Sequence, residues 1–128
     1  MNYSKLTQSI LPLNDIRRLK LPYPKAKKVY ALCKTFEAEF SFFRQEETKL
    51  IETYAAKDEK GNPKMNQTGV ITFDTVEARN DYLAEIEKLC NTEIEAEIPH
   101  IVITPEDIGN QSVSPETIER LEDIISFE

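Results

Sequence analysis

The side chains able to do chemistry are few and scattered. The chain has one histidine, His100, and two cysteines, Cys33 and Cys90. A metal centre needs several such ligands converging on one point. His100 follows Pro99 in a β-type stretch with no second histidine to join it, so it reads as an exposed or hydrogen-bonded structural side chain. Each cysteine falls in a helical apolar pattern, where a free thiol packs as a small hydrophobe. A bridge between them would need an oxidising compartment. Glu46, Glu47, Glu52 and Glu77 put carboxylates on two helices in the manner of a di-metal bundle, but such bundles use Glu-x-x-His pairs and this chain has none. Glu93, Glu95 and Glu97 alternate with Ile94, Ala96 and Ile98. On a strand these acids would share one face about 7 Å apart. That ladder would hold a cation weakly, or serve as a solvated face that keeps a sheet edge from pairing. Three glycines leave no phosphate-cradling loop, and no serine sits in a nucleophile elbow. No catalytic residue, cofactor or metal ligand is therefore assigned, and no enzyme activity is expected.

The elements that would position any site are clearer. Ala26, Val29, Cys33, Phe36, Phe40, Phe43, Glu47, Leu50 and Tyr54 follow one another in steps of three and four. Such a seam, close to a coiled coil, keeps one stripe of a helix against a partner helix. The predicted helix covers residues 25–56. A polar stretch with Gly61 and Pro63 must then turn the chain. Residues 64–67 are expected to pair with 70–73 across Thr68 and Gly69 as a small ribbon. A second helix, capped by Asp74 or Thr75, should span residues 75–91, with Val76, Arg79, Tyr82, Leu83, Ile86, Leu89 and Cys90 on its apolar face. Phe36, Phe40, Phe43 and Leu50 would face Tyr82, Leu83, Ile86 and Leu89, and Arg79 would pair with Glu47. Residues 93–98 alternate as a half-buried strand, and Ile101-Val102-Ile103 resumes the β pattern. Thr104 to Asp107 reads as a capped turn or one helical turn. Ser114, Pro115 and Glu116 start a last helix with Ile118, Leu121, Ile124 and Ile125 on its apolar face. Before all this, Pro12 is expected to interrupt the chain, leaving a short turn of helix from Asp15 to Lys20 capped by Asn14.

The predicted fold is mainly α (α+β): an antiparallel helical hairpin with a small β element and a C-terminal helix. It is read as a single domain over residues 1–128, with a basic arm (1–24), the hairpin (25–92), and a strand segment with the last helix (93–128). No stretch reaches the roughly 20 apolar residues of a membrane span, and no signal peptide is read, so an intracellular protein is expected.

Charge is unevenly spread. Up to Lys28 seven basic residues stand against one acid, Asp15; beyond it nine basic residues face 22 acids. The acidic body argues against duplex DNA. The basic stretch would tie itself to that body, touch nucleic acid, or meet an acidic surface of another subunit.

The long helix closing on Leu50-Ile51-x-x-Tyr54-Ala55, the turn from Lys57 to Asn62, the Leu89-to-Glu93 exit and the last helix behind Ser114-Pro115 are similar to a group of small bacteriophage and prophage proteins of unknown function. The resemblance implies a phage or mobile-element origin, hence the cytoplasm of a bacterial host or a virion, and it brings no catalytic residues. Two functions are left open. One is contact with a host or phage protein as adaptor or inhibitor; the other is a structural or assembly component of a virion. Tyr30, Phe42 and Ile51 lie off the seam and, with Glu93, Glu95 and Glu97, are the candidate partner-binding residues. Leu32 joins them as surplus apolar surface, and self-association is expected. Nucleic acid and membrane are not expected partners. Trypsin should cut first in the polar turn, after Lys57, Lys60 or Lys64; a first cut in the middle of the long helix would refute the hairpin.

Overall fold

The first segment of the chain behaves unlike its sequence. In the computed structural model, which describes residues 1–128, α1 runs unbroken from Tyr3 to Arg17 with Pro12 inside it. The Asn2 side chain caps it by accepting the Lys5 N–H at 2.9 Å. An internal proline costs a helix about 3 kcal/mol through its missing N–H and its ring clash. Here Leu6, Leu13 and Ile16 are buried on the same face, each contributing about 1.5–3 kcal/mol, so burial outweighs the break. The Pro12 ring is itself buried, and the buried Ser9 hydroxyl is satisfied by donating to the Lys5 carbonyl at 2.7 Å. The short helix expected from Asp15 to Lys20 is therefore only the end of this longer one.

The remaining elements are α2 (Tyr23–Tyr54), α3 (Val76–Asn91), β1 (Ile101–Ile103), α4 (Pro105–Ile108), α5 (Pro115–Arg120) and β2 (Ile125–Phe127). They form two compact units, Met1–Phe40 with Glu93–Glu128, and Ser41–Thr92. The fold is mainly helical with a small β element, as the sequence predicts.

In the first unit the α1–α2 corner is held by one side chain. Gln111 accepts the Lys20 N–H at 2.7 Å and donates back to the Lys20 carbonyl at 2.8 Å. The early part of α2 then buries Val29, Leu32, Cys33 and Phe36. Leu32, expected as surplus surface, is core; it lies one residue before Cys33 on a buried stripe wider than the heptad seam. Burial pushes the Cys33 thiol up from its ordinary value, against the pull of Arg17. Three residues of the basic stretch are tied to acids further along the chain: Arg17 pairs with Glu37 at 2.9 Å and Lys5 with Asp123 at 3.5 Å. Lys25 meets Asp107 at 3.6 Å and also donates to the Val102 carbonyl.

The C-terminal segment departs most from the periodicity. β1 and β2 pair in parallel, with Ile101 opposite Ile125 and Ile103 opposite Phe127. The last helix stops at Arg120, and Ile125 enters a strand instead of continuing the helical face. The Ile124 carbonyl accepts the Ile101 N–H at 2.9 Å, a non-local bond that local periodicity does not reveal. The strand expected at residues 93–98 is absent. A single bridge joins Asn2 to Glu93, and Ile94 N–H donates to the Met1 carbonyl at 2.9 Å. The alternation survives as burial alone, Ile94 inside and Glu95 and Glu97 outside. Caps appear where the sequence put them: Ser114 on α5, and a reciprocal Thr104–Asp107 capping box on α4. Thr117 donates its hydroxyl to Asp15 at 3.0 Å, joining α5 to α1.

In the second unit the later part of α2 and α3 form the two arms of the hairpin, and Thr75 rather than Asp74 caps α3. Phe43 is buried; Leu50, Tyr82, Ile86 and Leu89 are half-buried. Burial first, then the Glu47 charge, raises the Tyr82 hydroxyl pKa. Two expectations fail. Val76 and Leu83, both expected on the apolar face, are exposed, because α3 turns only part of that arc inward. Glu47 pairs with Arg44, one turn earlier on its own helix, at 3.7 Å instead of with Arg79. Of the other expected seam residues, Phe36 and Phe40 belong to the first unit.

Two outcomes follow from this packing. Phe36→Ala should cost about 3–5 kcal/mol in denaturant unfolding, as large aromatic truncations do; a loss under about 1 kcal/mol would show that Phe36 is not core. The Thr104 N–H, donated to the Asp107 carboxylate at 2.9 Å, holds that carboxyl below its ordinary range, with burial opposing and the Thr104 side chain and Lys25 assisting. A depressed carboxylate contributes stability above the unfolded value of about 4, and this is lost as pH falls through the folded value. Asp107→Asn should therefore flatten the drop in melting temperature below about pH 4; an unchanged slope would deny Asp107 that role.

Candidate interaction surface

The far end of the hairpin is built from two side-chain-closed turns. Asp58 accepts the N–H groups of Lys60 and Asn62 at 2.9 and 3.0 Å, and Gly61 supplies the positive φ of 81° that the turn requires. Asn66 accepts from Thr68 N–H at 2.9 Å and Val70 N–H at 3.0 Å, with Gly69 at φ 80°. Between them lies the expected ribbon, joined by a third segment. Lys64 N–H donates to Ala56, Thr72 N–H to Lys64 and Ala56 N–H to Thr72, at 2.7, 2.9 and 2.8 Å. Met65 bridges Ile71.

This bonding leaves one edge open. Alternate residues of a strand direct their N–H and C=O to opposite sides. Val70 and Thr72 use theirs within the tip, while the backbone groups of Ile71 and Phe73 have no partner in the chain. Beside that run lies a cleft of about 630 Å³ lined by Val70, Phe73, Val76, Tyr82 and Leu83, with Asp74 and Arg79 also on its wall. The Phe73 and Tyr82 rings meet within it, centroids 5.3 Å apart. Val70 is 56% exposed and Val76 73%. No charge or proline interrupts Val70 to Phe73, the usual devices that blunt an edge.

The residues chosen from sequence are divided between the two units, Tyr30, Glu93, Glu95 and Glu97 in the first and Phe42 and Ile51 in the second. Tyr30 and Phe42 are exposed and Ile51 is half-buried. Phe42 and Ile51 are nine residues apart, about two and a half turns, and so lie on opposite sides of the helix. Glu93 accepts the N-terminal ammonium at 2.8 Å, while Glu95 and Glu97 are exposed. No strand spaces these acids, so the expected ladder has no frame. Val70 is not among the partner-binding residues chosen from sequence, and Val76 and Leu83 are expected on the apolar face of the helix. The signal for the edge is the uncharged run Val70 to Phe73, but which of its residues turn their backbone groups outward depends on the register that sets Met65 opposite Ile71.

One pair with the chemistry of a nucleophile and a base does form. His100 Nε2 lies 2.6 Å from the Ser126 hydroxyl across the β1–β2 pairing. Both lie toward the surface, and no group in the chain orients the other ring nitrogen. A working dyad needs such an orienting partner and donors for a developing oxyanion; here the hydrogen bond satisfies a surface histidine. A second cleft of about 390 Å³ between α1 and α5 contains Arg18 and Arg120, but Asp15 at 4.0 Å and Glu116 at 2.8 Å neutralise them. No three His, Cys, Asp or Glu side chains converge as a metal site, and no helix is long and apolar enough to cross a membrane. No protein family, curated protein or solved structure was found to match this chain.

Proposed function

We propose that the protein acts by contact, holding an extended segment of a partner protein against the tip of the hairpin. The observation that carries this reading is the open edge at Ile71 and Phe73 beside a cleft that is apolar on the Val70, Phe73, Val76, Tyr82 and Leu83 side and carries Asp74 and Arg79 as well. Free N–H and C=O groups accept another strand, and adjacent pockets take its alternate side chains. The aromatic pair Phe73–Tyr82 supplies the kind of anchor on which interface energy concentrates. The role this reading gives is that of a non-enzymatic adaptor or inhibitor in the phage setting that the sequence resemblance implies, in the cytoplasm of the bacterial host.

The partner is identified by a photo-reactive side chain placed at Val76, in cells that make the protein. One discrete cross-linked protein is expected, and Val70→Asp, which puts a charge into the cleft at an exposed position, should abolish the adduct without lowering the melting temperature. Amides of Ile71 and Phe73 should then gain protection from hydrogen exchange in the purified complex. A virion subunit as the trapped protein would make this an assembly component instead. An adduct that survives Val70→Asp would remove the tip as the interface.

A further inference from the structure

A second surface, in the first unit, has a different chemistry. Tyr23, Lys27, Tyr30 and Lys34 follow in steps of four, three and four along α2. At 3.6 residues per turn they form one stripe, ring and ammonium alternating. The opposite side of the same turns carries Val29, Leu32, Cys33 and Phe36, all buried, so the stripe is turned outward by the packing beneath it. Tyr23 is 76% exposed and Tyr30 60%, and both lysines are exposed.

The charge around it is of one sign. Between Asp15 and Glu37 there is no acid and there are seven basic residues. Arg17 and Lys25 are consumed by Glu37 and Asp107, and Arg18 lies 4.0 Å from Asp15. Lys20, Lys27, Lys28 and Lys34 form no ion pair in a chain that has 23 acids. The Lys34 ammonium rests over the Tyr30 ring, 5.6 Å from its centroid. The net charge of −7 is thus a poor guide to this face.

We propose that the Tyr23–Lys27–Tyr30–Lys34 face of α2 binds single-stranded nucleic acid without sequence preference. The lysines meet phosphates, and the rings stack on bases, whose π-faces are all alike. Two rings seven residues apart stand about 10 Å from one another along the helix, with Lys27 between them to hold the intervening backbone. A duplex hides its base faces and leaves the rings idle. An acidic protein surface would satisfy the lysines, but a protein hot spot is a contiguous apolar cluster ringed by charge, and here a lysine separates the rings.

The test is fluorescence anisotropy with a labelled oligothymidylate at low salt, using the full chain. Binding is expected, weakening with salt at a log–log slope of about −0.7 for each lysine engaged. Tyr23→Ala and Tyr30→Ala should each weaken it by about 5- to 100-fold. Lys27→Glu with Lys34→Glu should abolish it, and a duplex of equal length should bind at least about tenfold more weakly. All four positions are exposed, so melting temperatures should not move. Absence of binding at low salt would overturn the proposal, as would tyrosine variants that bind like the parent. Displacement by polyglutamate as efficient as by unlabelled oligothymidylate would show a surface for acidic protein. Loss of a dimer in Lys27→Glu, in a protein that ignores the oligonucleotide, would reassign the face to a second copy.

Discussion

The burial of one side of α2 decides what its other sides are free to do. Val29, Leu32, Cys33 and Phe36 are fixed inward, and a helix fixed on one side has no remaining rotational freedom. Every other residue on those turns is then assigned a direction. Tyr23 and Tyr30 point to solvent, and Lys25 reaches the Val102 carbonyl and the Asp107 carboxylate. Lys25 contributes little as a surface charge. Its value is that it ties the start of the helix to the C-terminal segment, through a carboxylate whose ionised form Thr104 already holds in place.

The same constraint explains which parts of the fold were legible. α2 and α3 could be read because their patterns are local: an apolar stripe, a cap at Thr75, and a polar turn with glycine and proline between them. α1 was hidden by Pro12. Helix propensity weighs a proline by its local cost, whereas the outcome depended on Leu6, Leu13 and Ile16 finding a core to enter. β2 was hidden by the opposite error. Leu121, Ile124 and Ile125 fit a helical period as well as they fit a turn followed by a strand, and only pairing with β1 separates the two. Residues 93–98 show that alternation encodes burial before it encodes a ladder: Ile94 goes inside although only Asn2 pairs beside it.

The candidate surfaces were legible to different degrees for the same reason. Tyr30 and Phe42, off the apolar seam, are exposed as counting residues along the helix suggests, whereas Leu32, equally off it, is buried because the inward stripe is wider than a heptad seam. The open edge at Ile71 could not be counted out. It depends on the register of the ribbon: Met65 stands opposite Ile71 as a non-hydrogen-bonded pair, the bonds run from Asn66 to Val70 and from Thr72 to Lys64, and the Ile71 groups face outward. His100 and Ser126 likewise meet only because two short strands align in parallel. Helical direction and caps could be read from counting and residue type; pairings that depend on which distant segments align could not.

The two surfaces differ in the force they use, and this makes them separable. The tip offers main-chain hydrogen bonds and apolar area, which salt leaves largely unchanged or strengthens. The α2 stripe offers ammonium groups whose attraction to a polyanion falls steeply as counterions compete. They also belong to different units, the tip to Ser41–Thr92 and the stripe to Met1–Phe40. A charge placed in the tip cleft therefore leaves the lysine stripe chemically intact, and reversing Lys27 leaves the Ile71 edge intact. Raising the ionic strength acts as a third, mutation-free separation. Contact made through the tip persists where contact made through the stripe is lost, so salt dependence assigns a newly found partner to one surface or the other before any residue is changed.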